Sequence, residues 1–104
     1  MKPETERWLQ RAEEDLQVAA AALEHGWVRS SIFHSHEAVE KTLKAIWVES
    51  RNEQPEKTHN LPYLASELRL DLSKEQRGFL RKLYWQLIPS RYPEGPDPER
   101  NTAE

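Results

Sequence analysis

Four segments with apolar residues at helical spacing, two clear helix-capping patterns and no sustained polar–apolar alternation predict an all-α protein. The expected architecture is an up-down four-helix bundle, with room for a short extra helix. Only three glycines occur in 104 residues, which leaves strands and tight hairpins little support. This length suits one hydrophobic core, so residues 1–91 are assigned to the bundle. Residues 92–104, where Pro93, Pro96 and Pro98 stand among charges, are assigned to a flexible tail.

The first helix is predicted from Pro3 to Glu24, with Trp8, Ala12, Leu16, Ala19, Ala20 and Leu23 as its inward stripe. Gly26, just after His25, can adopt the left-handed cap that stops it. The second runs from about Val28 to Ser50, carrying Ile32, Phe33, Val39, Leu43, Ile46 and Trp47 on one side. A tight turn between two long helices makes them antiparallel. After a polar connection containing Pro55, a short third helix spans Leu61 to about Arg69, with Asn60 as N-cap and Pro62 in the first turn. The fourth opens on a capping box, Ser73 followed three residues later by Gln76, and turns Phe79, Leu80, Leu83, Tyr84 and Leu87 inward. Pro89 is expected to end it, because proline lacks the N–H that the helical ladder needs.

Composition excludes whole classes of function. With no cysteine, disulfide frameworks, thiol nucleophiles and thiolate metal sites are absent. Mean hydropathy is −0.93, no apolar run could span a membrane, and the opening residues lack a signal core; a cytoplasmic protein is expected. The net charge of −3 conceals a gradient. Residues 1–68 hold eight basic and twelve acidic residues, residues 69–91 six and two, and residues 92–104 one and four. A local basic patch attracts anions even on an acidic protein, because charges are screened beyond roughly 8 Å in physiological salt.

Several residues exceed what a plain bundle requires. On a wheel of the second helix, His36 and Glu40 fall inside the apolar arc, four residues apart, with Arg29 on the same side two turns earlier. Such a pair is either a polar bridge to another helix or subunit, or a site that reaches into a cleft. On the fourth helix Lys74, Arg81 and Trp85 fall together opposite the apolar face, a combination suited to a protein interface or to nucleotide contact. His34 and His36 point about 200° apart on a helix, and no acidic partner completes a ligand set with either at helical spacing, so no metal and no cofactor are expected. There is no glycine-rich phosphate loop.

The string Phe33-His34-Ser35-His36-Glu37-Ala38-Val39-Glu40-Lys41-Thr42-Leu43-Lys44-Ala45 resembles the second-helix signature of the HEPN domain. Three further pieces agree in order: Trp8 with Ala12 to Leu16, the turn Thr58-His59-Asn60-Leu61, and Ser90-Arg91-Tyr92-Pro93 after the last helix. The departures are His36-Glu37, where the family commonly has two glutamines, and Asn60 for aspartate. The resemblance implies a helical bundle that is usually dimeric and often paired with a small nucleotidyltransferase as a toxin–antitoxin-like system. Some branches are metal-independent ribonucleases carrying Arg, four to six residues, then His. Arg29 reaches His34 and His36 at those spacings, but the family places the motif later in the bundle, where Arg91-Tyr92-Pro93 has no histidine after it.

Two functions are therefore expected as alternatives. As a binding module, the protein forms a homodimer, engages a nucleotidyltransferase and binds nucleotide or RNA near His36, Glu40, Arg91 and Tyr92. As an endoribonuclease, it uses His36 or His34 as acid or base, with Arg29 stabilising the phosphorane charge. The position of the motif favours binding.

Overall fold

The computed structural model describes the backbone of residues 1–91 and the side chains of residues 1–87. The tail from Tyr92 onward, and the side chain of Arg91, lie outside the described residues. Four helices follow in order: α1 (Pro3–Glu24), α2 (Val28–Arg51), α3 (Leu61–Glu67) and α4 (Lys74–Arg91). Among the described residues, α1 packs against α2 alone, while α2 also supports α3 and α4, which touch each other. The second helix is thus the spine, clad by α1 on one side and by α3 with α4 on the other.

The periodicity explains this layering. Thr5, Trp8, Ala12, Asp15, Ala19 and Ala22 recur at alternating intervals of three and four, and all but the half-buried Trp8 are buried. Ser31, His34, Ala38, Lys41, Ala45 and Val48 repeat the same intervals on α2. These are two coiled-coil seams in an antiparallel hairpin. The expected stripe on α1 is corrected: Leu16 is 55% exposed and Leu23 62%, and Ala20 is exposed as well. A helix with one neighbour buries the narrow seam and not the broader stripe of a helix embedded in a globular core. The second seam of α2, His36, Glu40, Leu43 and Trp47, lies about 200° away from the first and faces α3 and α4.

Both ends of the hairpin are tied. At the turn, Trp27 N–H donates to Ala22 O at 2.8 Å and Gly26 N–H to Leu23 O at 3.0 Å, with Gly26 at φ 77°. This is a Schellman cap, and the predicted glycine stop holds. At the open end, Thr5 Oγ1 donates to Glu49 Oε1 at 2.9 Å, and Lys2 Nζ donates to the carbonyls of Val48 and Glu49. The lysine supplies a donor to the Glu49 carbonyl in the last turn of α2 and a second donor to that of Val48, which also accepts from Asn52 N–H.

On the other side Leu43, Trp47, Leu61, Leu64, Ala65, Leu80 and Leu83 form the core, and Leu61 and Leu64 are fully buried. The Arg51 guanidinium lies over the Trp47 ring, 4.3 Å from its centroid, and covers one end. The predicted caps are present: Asn60 Oδ1 accepts from Tyr63 N–H at 3.0 Å, and Ser73 and Gln76 exchange bonds of 2.9 and 3.1 Å. Two expectations for α4 are corrected. Phe79 is 56% exposed, because the buried line runs through Leu80, Leu83 and Leu87 and Phe79 sits well off its centre. The helix also continues past Pro89 to Arg91, since a proline in the last turn removes a single bond from the ladder.

Candidate functional site

The second seam of α2 carries a buried charged network. His36 is fully buried, Glu40 is 5% exposed and Lys44 7%, at successive four-residue steps along one helix. Glu40 is the hub. Its Oε2 accepts from Lys44 Nζ at 2.9 Å, and its Oε1 accepts from His59 Nδ1 at 2.8 Å. His36 Nδ1 stands 3.7 Å from the same Oε1. On the far side of its ring, His36 Nε2 donates to the carbonyl of His59 at 2.9 Å. A carbonyl only accepts, so the proton sits on Nε2, and by the same logic His59 presents Nδ1–H to the carboxylate.

Each member is held in place. Lys44 Nζ lies 5.9 Å above the Trp8 ring of α1, so one cation links the two layers. His59 comes from the connection before α3, where Asn60 N–H donates to Thr58 Oγ1 at 3.2 Å and Asn60 caps α3. Tyr84 of α4 closes the far side, its ring 6.4 Å from that of His36. The His59 side chain is 53% exposed, so it carries the network to the surface.

Sequence reasoning located His36 and Glu40 but missed His59 and Lys44 as their partners. Lys44 was legible, as the residue four after Glu40. The signal for His59 was the Thr58-His59-Asn60-Leu61 string, but nothing local places it opposite residue 40.

The other candidates are dispersed. Arg29 is exposed in the first turn of α2, seven residues and about 10 Å along the axis from His36. His34 points to the opposite side, where Nδ1 meets Asp15 Oδ1 at 2.9 Å. Lys41 Nζ donates to the other oxygen of Asp15 and stands 3.8 Å from Glu37. Burial raises the pKa of Asp15, but hydrogen bonds from Lys41 and His34 outweigh it and hold the carboxyl below its ordinary 3.8. Lys74 and Arg81 are exposed, whereas Trp85, expected to be exposed beside them, is half-buried with its ring 5.5 Å from that of Tyr84. Contrary to the expectation of no acidic ligand set, His36, Glu37 and Glu40 bring ligand atoms within 4.8 Å of one another. Glu40 already accepts from Lys44 and His59, so a cation at that point would compete with the Lys44 ammonium for the same carboxylate.

Residues 5–104 match the family described as the HEPN domain. The chain belongs to the HEPN domain family. No match was found among curated proteins or solved structures. In this HEPN domain the family's helical fold is present, and its second helix supplies His36, Glu40 and Lys44 to the buried network. No helix among the described residues is long and apolar enough to cross a membrane.

Proposed function

We propose that this HEPN domain is a binding module and not a ribonuclease, one that forms a homodimer, engages a nucleotidyltransferase partner and contacts nucleotide or RNA within a toxin–antitoxin-like pair. The observation that carries this reading is the engagement of both candidate histidines in the fold. His36 is fully buried with Nε2 donated to a backbone carbonyl, and His34 is bonded to Asp15 on the opposite side of the helix. A general acid or base must come within hydrogen-bond reach of the proton it moves, and Arg29 stands two turns away on an exposed turn. His36 and Glu40 act here as the buried base of the site. The half-exposed His59 presents it to a ligand, with Arg91 and Tyr92 as the phosphate and stacking contacts. The dimer contact is assigned to the α4 side bearing Lys74, Arg81 and Trp85.

The test combines two measurements on the purified chain. Light scattering is expected to give about twice the 12.3 kDa chain mass, and a monomer at all concentrations would refute the homodimer. Incubation with RNA in EDTA is expected to leave the RNA intact, with nucleotide affinity lowered by Arg91→Ala and by added salt. Cleavage that disappears in both Arg29→Ala and His36→Ala would refute the binding reading in favour of the endoribonuclease.

A further inference from the structure

A cleft of about 460 Å³ lies between the end of α3, the connection to α4 and the first half of α4, well separated in sequence from His36 and Glu40. Its walls carry Arg69, Arg77 and Arg81, and its apolar floor includes Leu70, Leu72 and Leu80. None of the three guanidinium groups makes an ion pair or side-chain hydrogen bond among the described residues; the same holds for Arg7, Arg11 and Arg29, and what sets these three apart is that all of them line one cleft. Asp71 is the one carboxylate on the wall, so the lining carries a net charge of two positive.

The backbone reinforces the picture. Arg69 N–H donates to Ser66 O and Leu70 N–H to Ala65 O, a Schellman cap whose left-handed position, φ 54°, is filled by arginine where glycine is favoured. Asn52 takes the same left-handed position at the end of α2, so the conformation belongs to the cap; what is particular to Arg69 is that its side chain lines the cleft. Arg77 and Arg81 stand one turn apart on the same side of α4, so two planar donor sets face one volume.

We infer that this cleft binds a phosphate monoester with a flat apolar body. The two net positive charges balance a phosphate dianion, and guanidinium forks match its oxygens. The leucine floor takes the body, Asp71 accepts from a hydroxyl or amino group on it, and the volume lies in the range of roughly 300 to 1,000 Å³ usual for small-ligand sites. A free nucleotide and the terminal phosphate of an RNA strand offer this same chemistry. The inference goes beyond the function proposed above, because no residue of the cleft belongs to the His36–Glu40–His59 network; Arg81 alone is shared with the proposed dimer contact, so Arg77→Gln is the variant that separates ligand binding from dimerisation.

Calorimetric titration of the full chain with adenosine 5′-monophosphate tests it, with adenosine and inorganic phosphate as separate probes. Saturable binding of the monophosphate is expected, with each fragment at least about tenfold weaker. Arg77→Gln and Arg81→Gln should each weaken binding about tenfold or more, whereas Arg7→Gln, exposed on α1, should leave it unchanged. All three arginines are exposed, so far-UV circular dichroism should confirm that the variants fold. A short RNA with a 5′-phosphate that binds more tightly than the monophosphate, and loses affinity in the same variants, identifies a strand terminus as the ligand; weaker binding identifies a free nucleotide. No saturable binding would overturn the inference. So would binding that survives Arg77→Gln and Arg81→Gln but is lost in Arg91→Ala, which would place the ligand at the site proposed above. RNA cleavage by the purified chain would refute that earlier proposal and leave this one standing.

Discussion

Replacing Glu40 by leucine tests whether the buried network is a closed electrostatic unit. The carboxylate is the sole acidic partner of Lys44 among the described ion pairs, at 2.9 Å, with side-chain exposures of 9% for Lys44 and 6% for Glu40. Removing the carboxylate leaves a buried ammonium without its counter-charge, which costs about 3–5 kcal/mol. It also takes away the acceptor of His59 Nδ1, although that half-exposed ring can turn to water. A domain of this size is stable by only about 5–15 kcal/mol, so the loss is a large share of the total. Lys44→Met alone should cost less, because His59 can still donate to Glu40. The double variant, Glu40→Leu with Lys44→Met, replaces the pair by apolar groups of similar volume and should recover to within about 1 kcal/mol of the parent. Urea unfolding followed by circular dichroism at neutral pH reads these values; with a slope of about 1.5 kcal/mol per molar, Glu40→Leu lowers the midpoint by about 2–3 M. A loss under about 1 kcal/mol for Glu40→Leu, or a double variant as unstable as the two singles summed, would show that the groups do not form a coupled buried pair.

Two further outcomes follow from the caps and seams. The folded-state pKa of Asp15 lies below 3.8, so its contribution is fully present above that value and is lost as the pH falls through the lower folded value. Asp15→Asn should therefore cost about 1–2 kcal/mol at pH 7 and flatten the decline in stability below about pH 4; parallel stability curves for parent and variant would contradict the seam assignment. Arg69→Gly removes a side chain from a left-handed position, φ 54°, and should raise stability by up to about 1 kcal/mol in thermal unfolding while weakening monophosphate binding; a destabilised variant would mean that the guanidinium is held by contacts within the fold.

Local chemistry made much of the fold legible in the sequence. Gly26, Asn60 and the Ser73–Gln76 box act through atoms within a few residues, so their predicted stops and starts coincide with the observed ones. The pair His36 and Glu40 was equally visible, because four-residue spacing along one helix fixes neighbours without reference to the rest of the chain. What a helix touches is a different matter. The expected stripe on α1 is too broad, because the sequence does not say that α1 has α2 as its single neighbour among the described residues, and that number decides whether Leu16 and Leu23 are covered there. The same limit hid His59, which reaches Glu40 across nineteen residues. It hid the cleft as well: Arg69, Arg77 and Arg81 appear in the sequence as a diffuse excess of charge, and only the turn between α3 and α4 gathers them around one volume. Helical periodicity and capping are properties of adjacent residues and are written in the chain. The pairing of faces depends on which distant surfaces exclude water together, and the tertiary structure decides that.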